Sequence, residues 1–383
     1  MIDRCRLIGN PETFQPEYLQ LLLSKGIINN MANLEKAIFS LEYVGQLRQE
    51  GLDFLLKGGS AVQILLGEKW NRLSIDVDIC TNVLEDGLTN ILKKISLKFG
   101  DKAFTYSKRR DDVESSVPFY LYRIETPPIT DKRRTILLDA LGIKPRMATR
   151  RTPLKTIYYD SSIEVTTPTI GAILGDKISI IGPNTIGRPL RDSRNGLEYA
   201  KHFYDVNSLS DSQPDFRECV DAYKESIRTQ SQIRNREFSL EECFKDAVFT
   251  CQVASLPQRL GRQAIENLNA PEKDRAVSEY ETLGDGLRRF RPFLVQNRTY
   301  AWDNLREYAS KTALLIKTIR SNLTATRIEE ILHHDIPKSK EEIQKLLQRI
   351  QTVPKEQRWF IIPEEIVNFP SILKMWHDFF IED

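Results

Sequence analysis

The chain has few of the residues that build metal or disulfide sites. Its 383 residues include five cysteines and four histidines. The cysteines are scattered and contain no Cys-x-x-Cys pair: Cys5, Cys80, Cys219, Cys243 and Cys251. His333 and His334 are adjacent, so on a helix their side chains would diverge rather than bind one metal ion. The number and spacing of the cysteine and histidine residues argue against a zinc site, and the scattered cysteines indicate a reducing compartment.

The chain also lacks long hydrophobic runs and a strong net charge. No apolar run approaches the roughly 18–20 residues that span a membrane. The first residues, with Asp3 and Arg4, do not resemble a signal peptide. We therefore expect a cytoplasmic protein without membrane contacts. The formal charge of +2 is too small to indicate nucleic-acid binding by itself, and 40% hydrophobic residues are typical of a globular protein.

The most informative segment begins at Lys57. The apolar residues Leu55 and Leu56 lead into Lys57-Gly58-Gly59-Ser60, which predicts a strand that enters a tight turn and then a short helix. Glycine allows a positive φ and leaves room for a ligand near the main chain. The N-terminus of the following helix offers N–H groups to an anion such as phosphate. The segment therefore predicts a phosphate-binding turn.

A pair of carboxylates follows one short helix later. Residues 73–79 alternate between apolar and polar side chains, which predicts a strand with Asp76 and Asp78 on one face. Their Cα atoms would lie about 6.5–7 Å apart. Two carboxylates at this spacing can bind hard divalent cations that also hold substrate phosphates. Together with the turn, they indicate nucleotidyl transfer.

Three residues further along are candidates for the same site. Asp139 interrupts an apolar run, which is costly unless the acid is paired or binds a metal. It could join Asp76 and Asp78 from a neighbouring strand, or it could cap a turn at Gly142. Lys177, in a mostly apolar helix, could meet a triphosphate as a point charge, or it could be a surface lysine. Asp205 follows Lys201 by four residues, so an intrahelical ion pair is its alternative explanation.

The hydrophobic pattern predicts an α+β fold. Helical spacing covers residues 14–50 and 88–99. The predicted strands are 53–56, 73–79, 119–125, 135–141 and 156–159. Thr167-Pro168 reads as a helix start, with Thr167 as the N-cap, and the chain is helical from there on. We expect a mixed-sheet domain with flanking helices over residues 1–210 and a helical bundle over residues 211–383.

Four motifs together resemble the AbiEii/AbiGii nucleotidyltransferase-like toxin family. That family includes the MenT-type toxins and belongs to the polymerase-β-like nucleotidyltransferase superfamily. The motifs lie at 57–60, 73–79, 175–178 and 201–206, in the family's order. The 15 residues between Ser60 and Asp76 are close to the family's spacing and favour this branch over antibiotic-modifying or CCA-adding enzymes.

The resemblance implies a role for each matched residue. The nucleotide contacts would be Gly58, Gly59, Ser60, Ser74 and Lys177. Asp76 and Asp78 would bind the metal, and Asp139 is the candidate third ligand. Asp76, Asp78, Lys177 and Asp205 would be the catalytic residues. One position departs from the family: many members carry an acid three residues before Asp205, where this chain has His202.

The resemblance also implies a reaction and partners. The enzyme would catalyse Mg²⁺-dependent in-line attack on the α-phosphate of an NTP and transfer NMP to RNA, by analogy the 3′ end of tRNA. A cognate antitoxin would hold it in check, in a type IV toxin–antitoxin or phage-defence system.

Charge distribution bears independently on an RNA partner. Between Lys132 and Lys201 there are 13 Lys and Arg residues and 6 Asp and Glu residues, while the whole chain is nearly neutral. A local basic surface is typical of polynucleotide binding, although solvated basic loops would give the same count. Tyr158 and Tyr159 could stack on bases or belong to the core.

Three functions remain open from the sequence. The first is a nucleotidyltransferase toxin that acts on tRNA. The second is a transferase of the same superfamily that modifies a protein or a small molecule. The third is a catalytically silent binding module, which the intact Gly-Gly-Ser and Asp-x-Asp motifs disfavour.

Overall fold

The computed structural model describes residues 6–70, 72–99, 104–109, 115–321 and 336–381. Cys5 and the His333–His334 pair lie outside the described residues. The chain forms two compact units. The first unit comprises Met1–Ile173, Arg228–Glu237 and Arg291–Thr299, and the second comprises Leu174–Ile227, Phe238–Phe290 and Tyr300–Asp383. The domain boundary predicted between residues 210 and 211 stays a prediction.

The first unit contains a seven-stranded mixed sheet. Its strands are β1 (Leu55–Leu56), β2 (Val77–Cys80), β3 (Thr105–Lys108), β4 (Phe119–Thr126), β5 (Arg134–Leu141), β6 (Thr149–Lys155) and β7 (Asp160–Pro168). Their order in the sheet is β3-β4-β5-β2-β1-β7-β6. β1 is parallel to β7 and β2 is parallel to β5, while the other neighbours are antiparallel. The α+β fold with a mixed sheet is therefore confirmed.

Two of the predicted strands match closely and one prediction is wrong. The strands predicted at 119–125 and 135–141 are β4 and β5. The strand predicted at 156–159 is instead the turn of the β6–β7 hairpin, closed by a 2.7 Å hydrogen bond from the Thr156 N–H to the Tyr159 carbonyl. The strand predicted at 73–79 is shorter and begins only at Val77.

The predicted helix start at Thr167-Pro168 is also wrong. β7 continues through Pro168, and its neighbour helix α5 (Ile170–Ser179) begins two residues later. The Thr167 hydroxyl is 2.7 Å from the Thr152 hydroxyl of β6, so it serves the sheet rather than a helix. Thr169 takes the capping role, because its hydroxyl accepts a hydrogen bond from the Ala172 N–H at 3.2 Å.

Helices pack on the sheet of the first unit. They are α1 (Pro16–Ser24), α2 (Met31–Gln49), α3 (Gly58–Leu66) and α4 (Glu85–Phe99). The central helix is α2, which contacts β2, β5 and β7. Its apolar side chains at helical spacing are fully buried: Leu34, Ala37, Ile38, Leu41 and Val44. The Ser40 hydroxyl of α2 donates to the Ile75 carbonyl at 2.7 Å, which ties α2 to the segment before β2.

The second unit is helical in its described part, as predicted for the C-terminal region. It contains most of α5 and the helices α6 (Gly196–Ser210), α7 (Phe216–Ile233, through residue 227), α8 (Leu240–Ala254), α9 (Gly261–Ile265), α10 (Ala270–Phe290), α11 (Trp302–Ser321), α12 (Lys340–Gln351), α13 (Pro363–Ile366) and α14 (Pro370–Ile381). α10 contacts α6 and α8, and α11 contacts α6, α8 and α14. No helix in the described part of the chain is both long and apolar enough to cross a membrane.

Candidate functional site

The predicted phosphate-binding turn lies between β1 and α3. Lys57 follows β1 and occupies the N-cap position of α3, and its N–H donates to the Asp78 carbonyl at 2.8 Å. A lysine side chain has no acceptor atom, so it cannot cap the first N–H groups of the helix. These N–H groups, from Gly58, Gly59 and Ser60, are the donors that the sequence assigns to phosphate.

The two glycines of the turn make room for side chains of the site. Gly58 has a φ of +62°, and a Cβ atom there would collide with the Asp78 carboxylate. A Cβ on Gly59 would lie 2.6 Å from the Ser74 hydroxyl oxygen and 2.9 Å from the Arg72 guanidinium. The space that the two glycines leave beside the main chain is therefore lined by Asp78, Ser74 and Arg72.

Ser60 holds the segment that carries the first carboxylate. Its side chain is fully buried, and its hydroxyl donates to the Asp76 carbonyl at 2.6 Å. The same hydroxyl lies 3.3 Å from the Ser74 hydroxyl. Ser60 thus fixes the chain immediately before β2, and contact of its hydroxyl with phosphate stays a prediction.

The structure places Asp139 next to Asp78. The two residues are directly paired in the parallel register of β2 and β5, and paired residues on neighbouring strands project to the same face. The Asp139 carboxylate also pairs with Arg109. The N–H of Gly142 donates to the Pro118 carbonyl at 2.8 Å, and Asp139 lies within β5 rather than at a turn.

Two carboxylates can supply the protein ligands of Mg²⁺, which usually completes its octahedron with water and substrate phosphates. Among the residues that the structure describes, no group of three acidic, histidine or cysteine side chains could hold a metal by itself. Asp76 precedes β2, which begins at Val77, and the role of Asp76 and Asp78 as ligands of a metal that binds together with a nucleotide stays a prediction. The place of Asp139 in that set stays a prediction.

A buried polar group behind the turn was not anticipated from the sequence. The side chain of Gln63 is fully buried and accepts hydrogen bonds from the Ser74 N–H at 3.3 Å and from the Tyr158 hydroxyl at 2.5 Å. Its position three residues after Ser60 on a helix was the available signal. Tyr158 and Tyr159 are buried in the core, so the alternative that they stack on bases is wrong.

The second unit contains a buried ion pair. The Lys177 ammonium of α5 lies 3.1 Å from the Asp205 carboxylate of α6, and their side chains are 8% and 0% exposed. Lys177 is therefore not a surface lysine. Lys201 pairs with Glu198 at 2.9 Å, and an intrahelical pair of Lys201 with Asp205 stays an open alternative.

Two side chains that precede Asp205 on α6, His202 and Glu198, have shifted pKa values. Burial and the Lys177 charge lower the pKa of His202 to about 3, so its imidazole is neutral at pH 7. Its Nδ1 atom is buried without a hydrogen-bond partner among the described residues. Burial opposes ionisation of Glu198, but Lys201 and the other neighbouring cations outweigh it and lower the pKa of Glu198 to about 2.

Comparison with family models identifies the chain. The model described as "Nucleotidyl transferase AbiEii toxin, Type IV TA system" matches residues 45–303, more than half of the chain. The chain belongs to the AbiEii nucleotidyltransferase toxin family. The matched region includes every predicted site residue, from Gly58 to Asp205. A comparison with curated proteins finds no match.

Seven solved chains match this AbiEii-family chain, and the match to one of them covers most of it. This solved chain is MenT4, a nucleotidyltransferase toxin from Mycobacterium tuberculosis H37Rv. The two chains share 10% sequence identity, with a TM-score of 0.37. The similarity covers 78% of this chain and 98% of the MenT4 chain.

The buried Lys177–Asp205 pair of this AbiEii-family chain predicts a non-additive effect on stability. Lys177→Met should lower the free energy of unfolding by about 3–5 kcal/mol, because it leaves a buried carboxylate without its partner. The double variant Lys177→Met/Asp205→Asn should recover much of that loss. Denaturant unfolding of the two single variants and the double variant measures the coupling. Purely additive losses would contradict a paired arrangement.

The neutral imidazole of His202 predicts a pH dependence of stability. Its pKa is lowered from 6.5 to about 3 on folding. Below pH 6.5 the unfolded chain binds a proton that the folded chain does not, so stability falls as the pH falls from 6.5 towards 3. His202→Gln should reduce this slope by up to about 1.4 kcal/mol per pH unit.

Glu279 adds a pH dependence of stability that is opposite in sign to that of His202. Burial raises its pKa from 4.5 to about 7, so its contribution to stability is complete below pH 4.5 and is lost as the pH rises to 7. This sign is opposite to that of His202 in the same range. Denaturant unfolding at several pH values should therefore compare the slope of His202→Gln with that of the wild type, and equal slopes would contradict the assignment to His202.

Proposed function

We propose that this member of the AbiEii family transfers a nucleoside monophosphate from an NTP to RNA, with the 3′ end of tRNA as the acceptor. We further propose that it acts in the cytoplasm in phage defence and that a cognate antitoxin restrains it. The observation that carries the catalytic part is the contact between the phosphate-binding turn and the carboxylate strand. Asp78 lies against Gly58, and Ser60 bonds to the Asp76 carbonyl.

The carboxylates of Asp76 and Asp78 would hold Mg²⁺ in this proposal. Bound there, the ion would supply positive charge to the phosphate that reacts and to the leaving pyrophosphate. The N–H groups of Gly59 and Ser60 would bind the terminal phosphates. Ser60 and Ser74 would keep the turn and the Asp76 segment in register, so that positioning and electrostatics supply most of the rate enhancement.

Lys177 and Asp205 have roles that come from the family resemblance. Lys177 would neutralise charge on the triphosphate, and Asp205 would hold the ammonium of Lys177 in place, which the 3.1 Å ion pair within the second unit supports. Because the pair is buried, a substitution at either residue will affect both stability and activity. The double variant described above separates the two effects.

The proposal of an RNA acceptor rests on the positive charge of residues 132–201. Of the 13 basic residues between Lys132 and Lys201, nine are exposed: Lys132, Arg133, Arg146, Arg150, Arg151, Lys155, Arg188, Arg191 and Arg194. Exposed arginines suit phosphate contacts, so RNA is favoured over a small-molecule acceptor.

The proposal is tested by incubating the purified protein with each labelled NTP, Mg²⁺ and total tRNA. Label should appear on tRNA and should require Mg²⁺. Digestion with a 3′ exonuclease should release it if the 3′ end is the acceptor. Label on protein alone would overturn the RNA acceptor and favour modification of a protein. No transfer and no NTP binding would leave a silent binding module.

A further inference from the structure

Two buried carboxylates share one arginine in the second unit. Glu279 of α10 is 2% exposed, and Asp246 of α8 is 6% exposed. Among the described residues, both form their ion pair with Arg275, at 2.6 Å from Glu279 and 2.7 Å from Asp246. One arginine cannot neutralise two carboxylates, and burial of an excess charge is costly. The arrangement therefore favours a state in which one of the two acids carries a proton.

The hydrogen bonds indicate which acid that is. Both oxygens of Asp246 are acceptors, Oδ2 from the Asn184 N–H at 2.8 Å and the Thr185 hydroxyl at 2.9 Å, and Oδ1 from Arg275. This set fits an ionised carboxylate. In Glu279, Oε1 accepts from Arg275, and Oε2 is buried without a hydrogen-bond partner among the described residues. An unpartnered oxygen costs less on a neutral carboxyl group than on a carboxylate, which assigns the proton to Glu279.

The groups around Glu279 also favour its neutral form. Burial and the charge of Asp246 raise the pKa of Glu279 to about 7, although Arg275 acts in the opposite direction. From α8, Glu279 also faces the Thr250 hydroxyl and the Cys251 thiol. Charged groups of the other segments packed on α10 form pairs of their own: Arg262 with Glu281, Arg194 with Asp192, Lys201 with Glu198, and Asp205 with Lys177.

Asp246 holds the loop between α5 and α6. Its hydrogen-bond donors Asn184 and Thr185 lie in this loop, and Asn184 donates through its side-chain amide as well as its N–H. The two helices that the loop joins carry the buried ion pair, with Lys177 on α5 and Asp205 on α6. The charge state around Asp246 therefore bears on the segment that connects these two helices.

We propose that a proton on Glu279 closes a clamp, formed by Asp246, Arg275 and Glu279, on the loop between α5 and α6. While Glu279 is neutral, Arg275 serves Asp246, and Asp246 holds the loop. When the proton passes to solvent water, a second carboxylate charge appears in the cluster and competes with Asp246 for Arg275, so the loop is released. The clamp needs neither nucleotide nor metal and is therefore independent of the proposed reaction.

Hydrogen–deuterium exchange of the loop amides at several pH values tests the clamp. In the open loop Glu279 is hydrated and has its ordinary pKa of 4.5, whereas in the closed loop it keeps its proton up to about pH 7. Protection of the Asn184 amide, corrected for the intrinsic exchange rate, should therefore fall by up to about tenfold per pH unit between about pH 5 and pH 7, the limit for one proton. Above that range it should level off, because Glu279 is then ionised in both states.

Two variants and a matched control assign the proton. In Glu279→Gln, which is neutral at every pH, protection of the loop should not fall over this range. Asp246→Asn removes the neighbouring charge and should move the fall towards lower pH, since Glu279 then ionises more readily. Glu281→Gln changes an exposed carboxylate of the same helix and should keep the wild-type profile. His202 titrates with the opposite sign, so it cannot produce the fall.

Equal pH profiles of the wild type and Glu279→Gln would overturn the clamp. An equal fall at amides throughout the second unit would also overturn it, because Glu279 would then act on the whole unit rather than on the loop. If Glu279→Gln does not fold, Asp246→Asn decides: a fall that moves to lower pH supports the shared cluster, and a fall at the wild-type pH contradicts it.

Discussion

Asp78→Asn should reduce nucleotidyl transfer by about 10³-fold, because the charge stabilisation that a bound divalent ion supplies is worth several kcal/mol. The substitution keeps the size of the side chain that lies against Gly58, so the turn should retain its geometry. It removes one negative charge near the N-terminus of α3, which should lower the free energy of unfolding by no more than about 1 kcal/mol. Transfer of label from NTP to tRNA measures the first effect, and denaturant unfolding measures the second.

Two other aspartates complete that experiment. Asp131→Asn makes the same chemical change at an exposed side chain of the first unit and should leave transfer unchanged. Asp139→Asn tests the neighbour of Asp78 in the sheet. If Asp139 is a third metal ligand, its variant should need a higher Mg²⁺ concentration. If its role is to pair with Arg109, the Mg²⁺ dependence should not change. Full transfer activity in Asp78→Asn would remove this carboxylate from the chemistry.

The sequence predicted the local chain geometry around the candidate site. The Gly-Gly-Ser turn, the helix that follows it and the two nearby aspartates are specified within about one strand–helix–strand unit. The apolar run around Asp139 indicated that this acid needs a partner, but it left open whether Asp139 joins the other aspartates or caps a turn. These predictions used only neighbours along the chain.

The parts that the sequence did not identify depend on contacts between distant segments. β6 carries Arg150, Arg151 and Lys155 and contains Pro153, so it lacks the apolar alternation of a predicted strand, although its position at the sheet edge tolerates all four. The position of Arg72 beside Gly59 and Trp70 is visible only in the folded chain, so it could not be predicted from the sequence. The partner of Lys177 is 28 positions away in α6, and no local pattern selects it over Lys201 as the partner of Asp205.

Gly58→Ala should reduce transfer by about 10²-fold or more, because a misplacement of about 1 Å at a reacting group has an effect of that size. The φ of +62° at Gly58 is unfavourable for alanine, and the added Cβ would displace the Asp78 carboxylate. The unfavourable φ should lower the free energy of unfolding by about 1 kcal/mol. The added Cβ instead changes the position of the proposed catalytic carboxylate of Asp78. Transfer assays and denaturant unfolding on the same preparation separate them.

Gly51→Ala is the control that isolates backbone strain. Gly51 has a φ of +86° at the end of α2, and among the described residues no atom outside its immediate neighbours lies within 4 Å of an added Cβ. Its variant should therefore lose about 1 kcal/mol of stability and retain wild-type transfer. If Gly58→Ala lost only as much activity as Gly51→Ala, the contact between Gly58 and Asp78 would have no catalytic consequence. A selective loss in Gly58→Ala would instead mean that the first glycine of the turn is required because of the carboxylate it accommodates, and not only for its backbone conformation.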